Sequence, residues 1–129
     1  MAPQSNKQIL REAKQRLMLI TRGFHRWYTK RYEVFEGDLS VILVHNHAIG
    51  RLQYYGWSFL DFRGTHRADT KLIIASKATI ILSTIVEVRE VLQDIVVCNP
   101  QPDVVRACER LKKPLGTLDG MVRLLVSTE

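Results

Sequence analysis

Residues 27–62, WYTKRYEVFEGDLSVILVHNHAIGRLQYYGWSFLDF, decide the fold that the sequence predicts. The stretch is rich in β-branched and aromatic residues, which are enriched in strands. Turns are expected around Gly37 and at 46–50, and Gly56 is expected to mark a β-bulge. Strands are therefore predicted at 27–35, 40–46 and 52–62. Short apolar runs at 71–76 and 78–83 are two further strand candidates, although their periodicity does not exclude a buried helix.

The residues before this stretch predict an amphipathic helix. Its apolar face has members spaced by three and four: Leu10, Ala13, Leu17, Ile20 and Phe24. Ser5 or Asn6 is expected to be the N-cap, and Gly23 is expected to end the helix. A helix that continues through Trp27 and Tyr28 is the alternative.

Helical spacing returns near the C-terminus. Thr84 and Glu87 match a capping box, which predicts a helix over 85–97. A short helix is expected at 103–113, with a break at Pro114 and Gly116, and a closing helix at 120–128.

The predicted fold class is α+β: an N-terminal amphipathic basic helix, an antiparallel β-meander of three to five strands, then C-terminal helices. The 129 residues fit a single domain. Its parts are a basic helix at 1–23, mainly strands at 24–83 and mainly helix at 84–129.

Positive charge is concentrated at the start of the chain. Residues 1–31 hold eight basic residues and one acidic residue, whereas residues 32–129 hold eleven basic and twelve acidic residues. Such asymmetry indicates an anionic partner. The basic residues alternate with aromatic rings after Arg22, a combination that suits phosphates and unpaired bases.

The sequence therefore predicts a small non-enzymatic protein that binds nucleic acid, with RNA or single strands favoured. The expected binding residues are Lys7, Arg11, Lys14, Arg22, Arg26, Trp27, Tyr28, Lys30 and Arg31. For any one of these aromatics, a place in the core is the competing interpretation. The alternative function is an oligomeric scaffold subunit whose basic helix docks an acidic protein or an anionic membrane.

Two weaker patterns suggest additional contacts. Arg63 and Arg67 flank a glycine-containing segment that could touch a phosphate. His45 and His47 would share one side of a strand, which makes them weak candidates for a metal site or a metal-dependent phosphodiesterase. No third ligand has a defined spacing, so neither a metal nor a cofactor is expected.

The remaining chemistry favours association over catalysis. Cys98 and Cys108 lie in apolar helical surroundings typical of inert buried thiols, and their spacing fits a reducing compartment. We expect a cytoplasmic or nuclear protein, with the mitochondrial matrix as an open alternative. The aromatics at 54–59 and the aliphatic run at 73–97 exceed what a small sheet can bury, so a homodimer is an alternative to a well-filled monomer core.

Overall fold

The described part of the chain is entirely helical apart from its first residue. A computed structural model describes residues 5–31, 39–65, 71–98 and 102–127. Its four helices are α1 (Asn6–Arg31), α2 (Leu39–Thr65), α3 (Lys71–Cys98) and α4 (Pro102–Ser127). At 1.5 Å per residue each helix is about 40 Å long.

The helices form an antiparallel four-helix bundle. Each helix packs against two neighbours, so that α1 contacts α2 and α4, and α3 contacts α2 and α4. Neighbouring helices run in opposite directions, as shown by the pairs Leu10 with Gly64, Leu17 with Gly56, Ser58 with Lys77, Arg51 with Glu87, Gln93 with Lys112, and Arg89 with Gly116. As a result, α1 and α4 form one flank of the bundle, and α2 and α3 form the opposite flank.

One continuous apolar core joins the four helices. The apolar stripe expected on α1 is buried, with Ala13, Leu17 and Ile20 at 0% exposure. It meets Phe59 of α2 and the buried stripes of α3 and α4. Helix α1 is thus part of the core, and Ser5 caps it as expected, since the Gln8 backbone N–H donates to Ser5 Oγ at 3.2 Å.

The predicted β-meander is wrong. Residues 40–46 and 52–62 lie in α2, together with the expected turn at 46–50, and residues 71–83 lie in α3. Residues 27–31 belong to α1, while the expected turn near Gly37 lies outside the described residues. Strand propensity spans only about 1 kcal/mol, and burial on a helical stripe overrides it.

Two glycines have packing roles where the sequence suggested a helix end and a bulge. Helix α1 continues past Gly23 to Arg31. A Cβ at Gly23 would lie 2.9 Å from Leu111 Cδ2 of α4. A Cβ at Gly56 would lie 2.8 Å from Leu17 Cδ2 of α1, and 3.5 Å from Ile81 Cδ1 of α3. Glycine therefore permits the helices to approach closely at these two positions.

The C-terminal helices were predicted in part. The helix over 85–97 is confirmed, but it is the second half of α3, so Thr84 does not cap it. Thr84 is buried within the helix, and its hydroxyl donates to the Ile80 carbonyl at 2.8 Å. The segments 103–113 and 120–127 belong to one helix that contains Pro114. Helix α4 continues through the break expected at Pro114 and Gly116, because Leu111, Leu115 and Leu118 on either side of it are buried in the core.

Candidate nucleic-acid interface

The outward face of α1 presents a row of cations. Because its apolar stripe faces the core, the basic residues between those positions point away from the bundle. The exposed cations among the described side chains of α1 are Lys7, Arg11, Arg16 and Arg22. Lys7 and Arg22 are 15 positions apart, or about 22 Å along the helix. At 100° per residue, Lys7, Arg11 and Arg22 lie within about 60° of one another and form the row, whereas Arg16 lies on the side of α1 that faces α4. The helix beneath these cations is fixed by the core.

Helix α4 extends this positive surface. Gly23 of α1 lies against Leu111 of α4, so the turn that holds Arg22 runs beside the turn that holds Arg110. Helix α4 contains five basic and three acidic residues, and three of its exposed cations lie in its first half: Arg106, Arg110 and Lys113. We call the seven exposed cations of α1 and α4 named in these two paragraphs the basic flank.

Lys14 differs from the other cations of α1. Its ammonium lies 3.4 Å from the Asp61 carboxylate of α2, and both side chains are substantially exposed. An exposed pair of this kind contributes at most about 1 kcal/mol. Lys14 thus lies at the edge between α1 and α2, and Asp61 partly neutralises it.

Five of the expected binding residues lie in the last turns of α1. Arg26, Trp27, Tyr28, Lys30 and Arg31 all lie in α1, but their side chains lie outside the described residues. These residues add three cations to the sequence of α1, which has eight basic residues and one acidic residue between Asn6 and Arg31.

The apolar face of α1 is not available to a membrane. Ile9, Leu17 and Ile20 are packed in the bundle core, whereas an interfacial helix must insert its apolar face into the lipid. In the described part of the chain, no helix is both long and apolar enough to span a bilayer. The membrane alternative would therefore require α1 to leave the bundle.

The strand geometry expected of His45 and His47 is absent, because both residues lie in α2. Residues two apart on a helix are separated by about 200° around its axis, so positions 45 and 47 do not share a face. His47 is exposed, whereas the side chain of His45 lies outside the described residues. Among the described side chains, no group of three or more His, Cys, Asp or Glu is placed to hold a metal ion.

Arg63 has a structural contact. Its Nε donates to the Leu125 carbonyl at 2.8 Å, which satisfies an acceptor in the last turn of α4. The side chain is half-buried and joins α2 to the end of α4. Arg67, the other proposed phosphate contact, lies outside the described residues.

Sequence reasoning missed the contribution of α4. Arg106, Arg110 and Lys113 lie in a segment, 103–113, that was predicted to be helical, but its four basic and two acidic residues give a much smaller charge excess than the one at residues 1–31. These cations are recognised as part of the interface only from the tertiary structure, because the bundle places α4 beside α1. The prediction of a buried thiol is confirmed for Cys108, at 1% exposure, while the side chain of Cys98 lies outside the described residues.

Comparison of the chain with known protein families, with curated proteins and with solved structures finds no match.

Proposed function

We propose that the protein binds nucleic acid through the basic flank, with RNA or single strands as the favoured ligand and without catalysis. The observation that carries this proposal is the row of exposed cations on the outward face of α1. Cations held at fixed positions on a rigid helix neutralise successive phosphates and release their counterions. No nucleotide-specific pocket is needed for this mode of binding.

The distribution of charge supports a polyanion as the ligand. The chain has a formal net charge of +6, and α1 alone has an excess of seven positive charges. An extended row about 22 Å long matches an extended chain of phosphates better than a single small anion. Concentrated like charge also repels itself, which a bound polyanion relieves.

Stacking by aromatic residues is the part of the proposal that distinguishes single strands from duplexes. Trp27 and Tyr28 follow the row of cations along α1, and each stacked base contributes about 1–3 kcal/mol. If they stack on bases, single-stranded RNA binds more tightly than a duplex of equal charge. If the two nucleic acids bind equally, phosphate contact alone accounts for the affinity.

A salt titration of the full-length protein tests the function. We expect fluorescence anisotropy with a short labelled single-stranded RNA to show an affinity that falls linearly in log salt. If all seven cations of the basic flank contact phosphates, the slope reaches about −5. No binding at low salt, or binding that does not depend on salt, would contradict the proposal. A chain that lacks α1 is not a suitable control, because the deletion removes core residues such as Leu17 and Ile20.

A further inference from the structure

A groove with aromatic walls runs along the outer side of α2. Its volume is about 520 Å³, within the range of about 300–1,000 Å³ that is typical of small-molecule sites. The described residues that line it follow one side of α2 at steps of three and four residues: Gly50, Gln53, Tyr54, Trp57 and Ser58. Gly50 leaves the groove open, since a Cβ there would project into space with no atom within 4 Å.

The groove lies on the side of α2 that adjoins α1. At 100° per residue, Gly50 and Trp57 of the groove lie within about 60° of Asp61 and Gly64 around the helix axis. The Asp61 carboxylate pairs with the ammonium of Lys14 of α1 at 3.4 Å, and a Cβ at Gly64 would lie 3.8 Å from a leucine side chain of α1. The same stripe of α2 therefore lines the groove and contacts α1.

The row of cations on α1 passes beside this groove. Helix α1 runs antiparallel to α2, with Leu17 against Gly56, so the groove is level with the segment of α1 between Lys14 and Arg22. These two cations are eight positions apart, or about 12 Å along the helix. The axes of packed helices are about 8–10 Å apart. A polyanion that follows the cations of α1 therefore lies within about one helix spacing of the groove.

Tyr54 presents an aromatic ring that neighbouring side chains hold in place. Its ring makes an edge-to-face contact with Tyr55, with the centroids 5.3 Å apart and the planes at 81°. The guanidinium of Arg51 lies over the Tyr55 ring at 5.9 Å, and Arg51 Nη1 donates to the Glu87 carboxylate of α3 at 2.8 Å. Tyr54 nevertheless remains 71% exposed. A ring that is ordered before binding loses less entropy when a ligand stacks on it.

The other groups of the groove suit a nucleobase. Trp57 packs partly against the core and adds a second aromatic surface. The carboxamide of Gln53 is exposed and can both donate and accept hydrogen bonds, as the edges of bases do. The described residues that line the groove are all uncharged. The cations of α1 therefore suit the phosphates of a strand, and the groove suits one of its bases.

We propose that the groove at Tyr54 and Trp57 receives one unpaired base of a single-stranded RNA whose phosphates lie along α1. This inference rests on the proposed function, because the cations of α1 bring the strand to the groove. A base inside a duplex is stacked and paired, so it cannot enter without being extruded at a cost in free energy. The groove thus adds a preference for single strands to phosphate contacts that have none.

Filling the groove tests this proposal. Gly50→Leu places a side chain in the open space, and leucine has the higher helix propensity, so the fold should persist while the base is excluded. We expect fluorescence anisotropy with the full-length chain to show about tenfold weaker binding of a short labelled single-stranded RNA, the effect of losing one stacked base. The salt slope should not change, since the phosphate contacts remain.

Two controls accompany Gly50→Leu. A duplex RNA with the same number of phosphates should bind the variant within about twofold of its affinity for the wild type, because its bases do not reach the groove. Gly120→Leu adds the same side chain at an equally open helical position on α4, the helix diagonally across the bundle from α2. This second variant should bind single-stranded RNA within about twofold of the wild-type affinity.

Two substitutions of Tyr54 test stacking directly. Tyr54→Ala removes the ring from an exposed position and should weaken the binding of single-stranded RNA about tenfold. Tyr54→Phe keeps the ring and should bind within about twofold of the wild-type affinity. Circular dichroism should show the same helix content in both variants as in the wild type, which excludes unfolding as the cause of any loss.

The two proposals fail on different measurements. If Gly50→Leu and Tyr54→Ala bind single-stranded RNA as tightly as the wild type does, the groove holds no base, while phosphate binding by the basic flank stands. An equal loss of affinity for single strands and duplexes would also overturn the inference, since a duplex offers no unpaired base. If the wild-type protein shows no salt-dependent binding of RNA, the proposed function fails, and the assignment of the groove fails with it.

Discussion

Leucine in place of Gly56 is expected to lower the free energy of unfolding by about 3 kcal/mol, the upper part of the range for overpacked cores. Even a single added Cβ would lie 2.8 Å from Leu17 Cδ2 and 3.2 Å from Leu17 Cδ1. Leu17 is fully buried, so its side chain can move aside only against other packed core residues. A whole leucine side chain must separate α2 from α1. Urea unfolding followed by circular dichroism measures the change.

The matched control is Gly120→Leu. Gly120 also lies inside a helix, but a Cβ there would meet no atom within 4 Å. Leucine has the higher helix propensity, so this variant should be about 0.5–1 kcal/mol more stable than the wild type. Equal stability changes at the two positions would contradict the close approach of α1 and α2 at Gly56.

Neutralising two cations of the basic flank is expected to reduce RNA affinity about twentyfold near 0.1 M salt. In Arg11→Gln/Arg22→Gln, each lost phosphate contact should reduce the magnitude of the salt slope by about 0.7. Both residues are exposed, so the fold should not change. The measurement is the same anisotropy titration with single-stranded RNA, made at several salt concentrations.

The control for this variant removes the same amount of charge from another helix. Lys77 and Arg89 lie on α3, diagonally across the bundle from α1. Lys77→Gln/Arg89→Gln should alter the RNA affinity by less than about twofold and leave the slope unchanged. If both double variants lose affinity equally, net charge governs binding and the basic flank is not the interface.

The sequence predicted the helices whose polar and apolar faces are clearly separated. The stripe that contains Leu10, Leu17 and Ile20 correctly placed α1 as far as Gly23, because charged residues occupy its other face, but the predicted end at Gly23 was wrong. Residues 85–97 were placed correctly for the same reason, since Glu87, Arg89 and Glu90 interrupt the apolar positions. Amphipathic periodicity was therefore a sufficient signal for these segments.

The same reasoning failed for α2 and the first half of α3. Between residues 39 and 60 only Arg51 is charged, and between 72 and 86 only Lys77 is charged. Because these two segments have no charged face, the prediction rested on their β-branched and aromatic composition. A helix that is apolar on most sides implies contacts on more than one face, and α2 and α3 each pack against two neighbouring helices.

The candidate site was also only partly visible in the sequence. The count of basic residues identified α1, because the excess lies in one continuous segment. The cations of α4 became part of the site only through the packing of Leu111 against Gly23. Conversely, the pairing of His45 with His47 depended on a strand, and it disappeared when the segment proved to be helical.

The most direct test of the proposed interface is a map of the backbone amides that respond to nucleic acid. A titration of ¹⁵N-labelled protein with a short single-stranded RNA should shift amide resonances around Arg11, Arg22 and Arg110. The amides around Ser83 on the opposite flank should keep their positions. Shifts confined to α2 and α3, with none on α1, would contradict the assignment of the basic flank as the nucleic-acid interface.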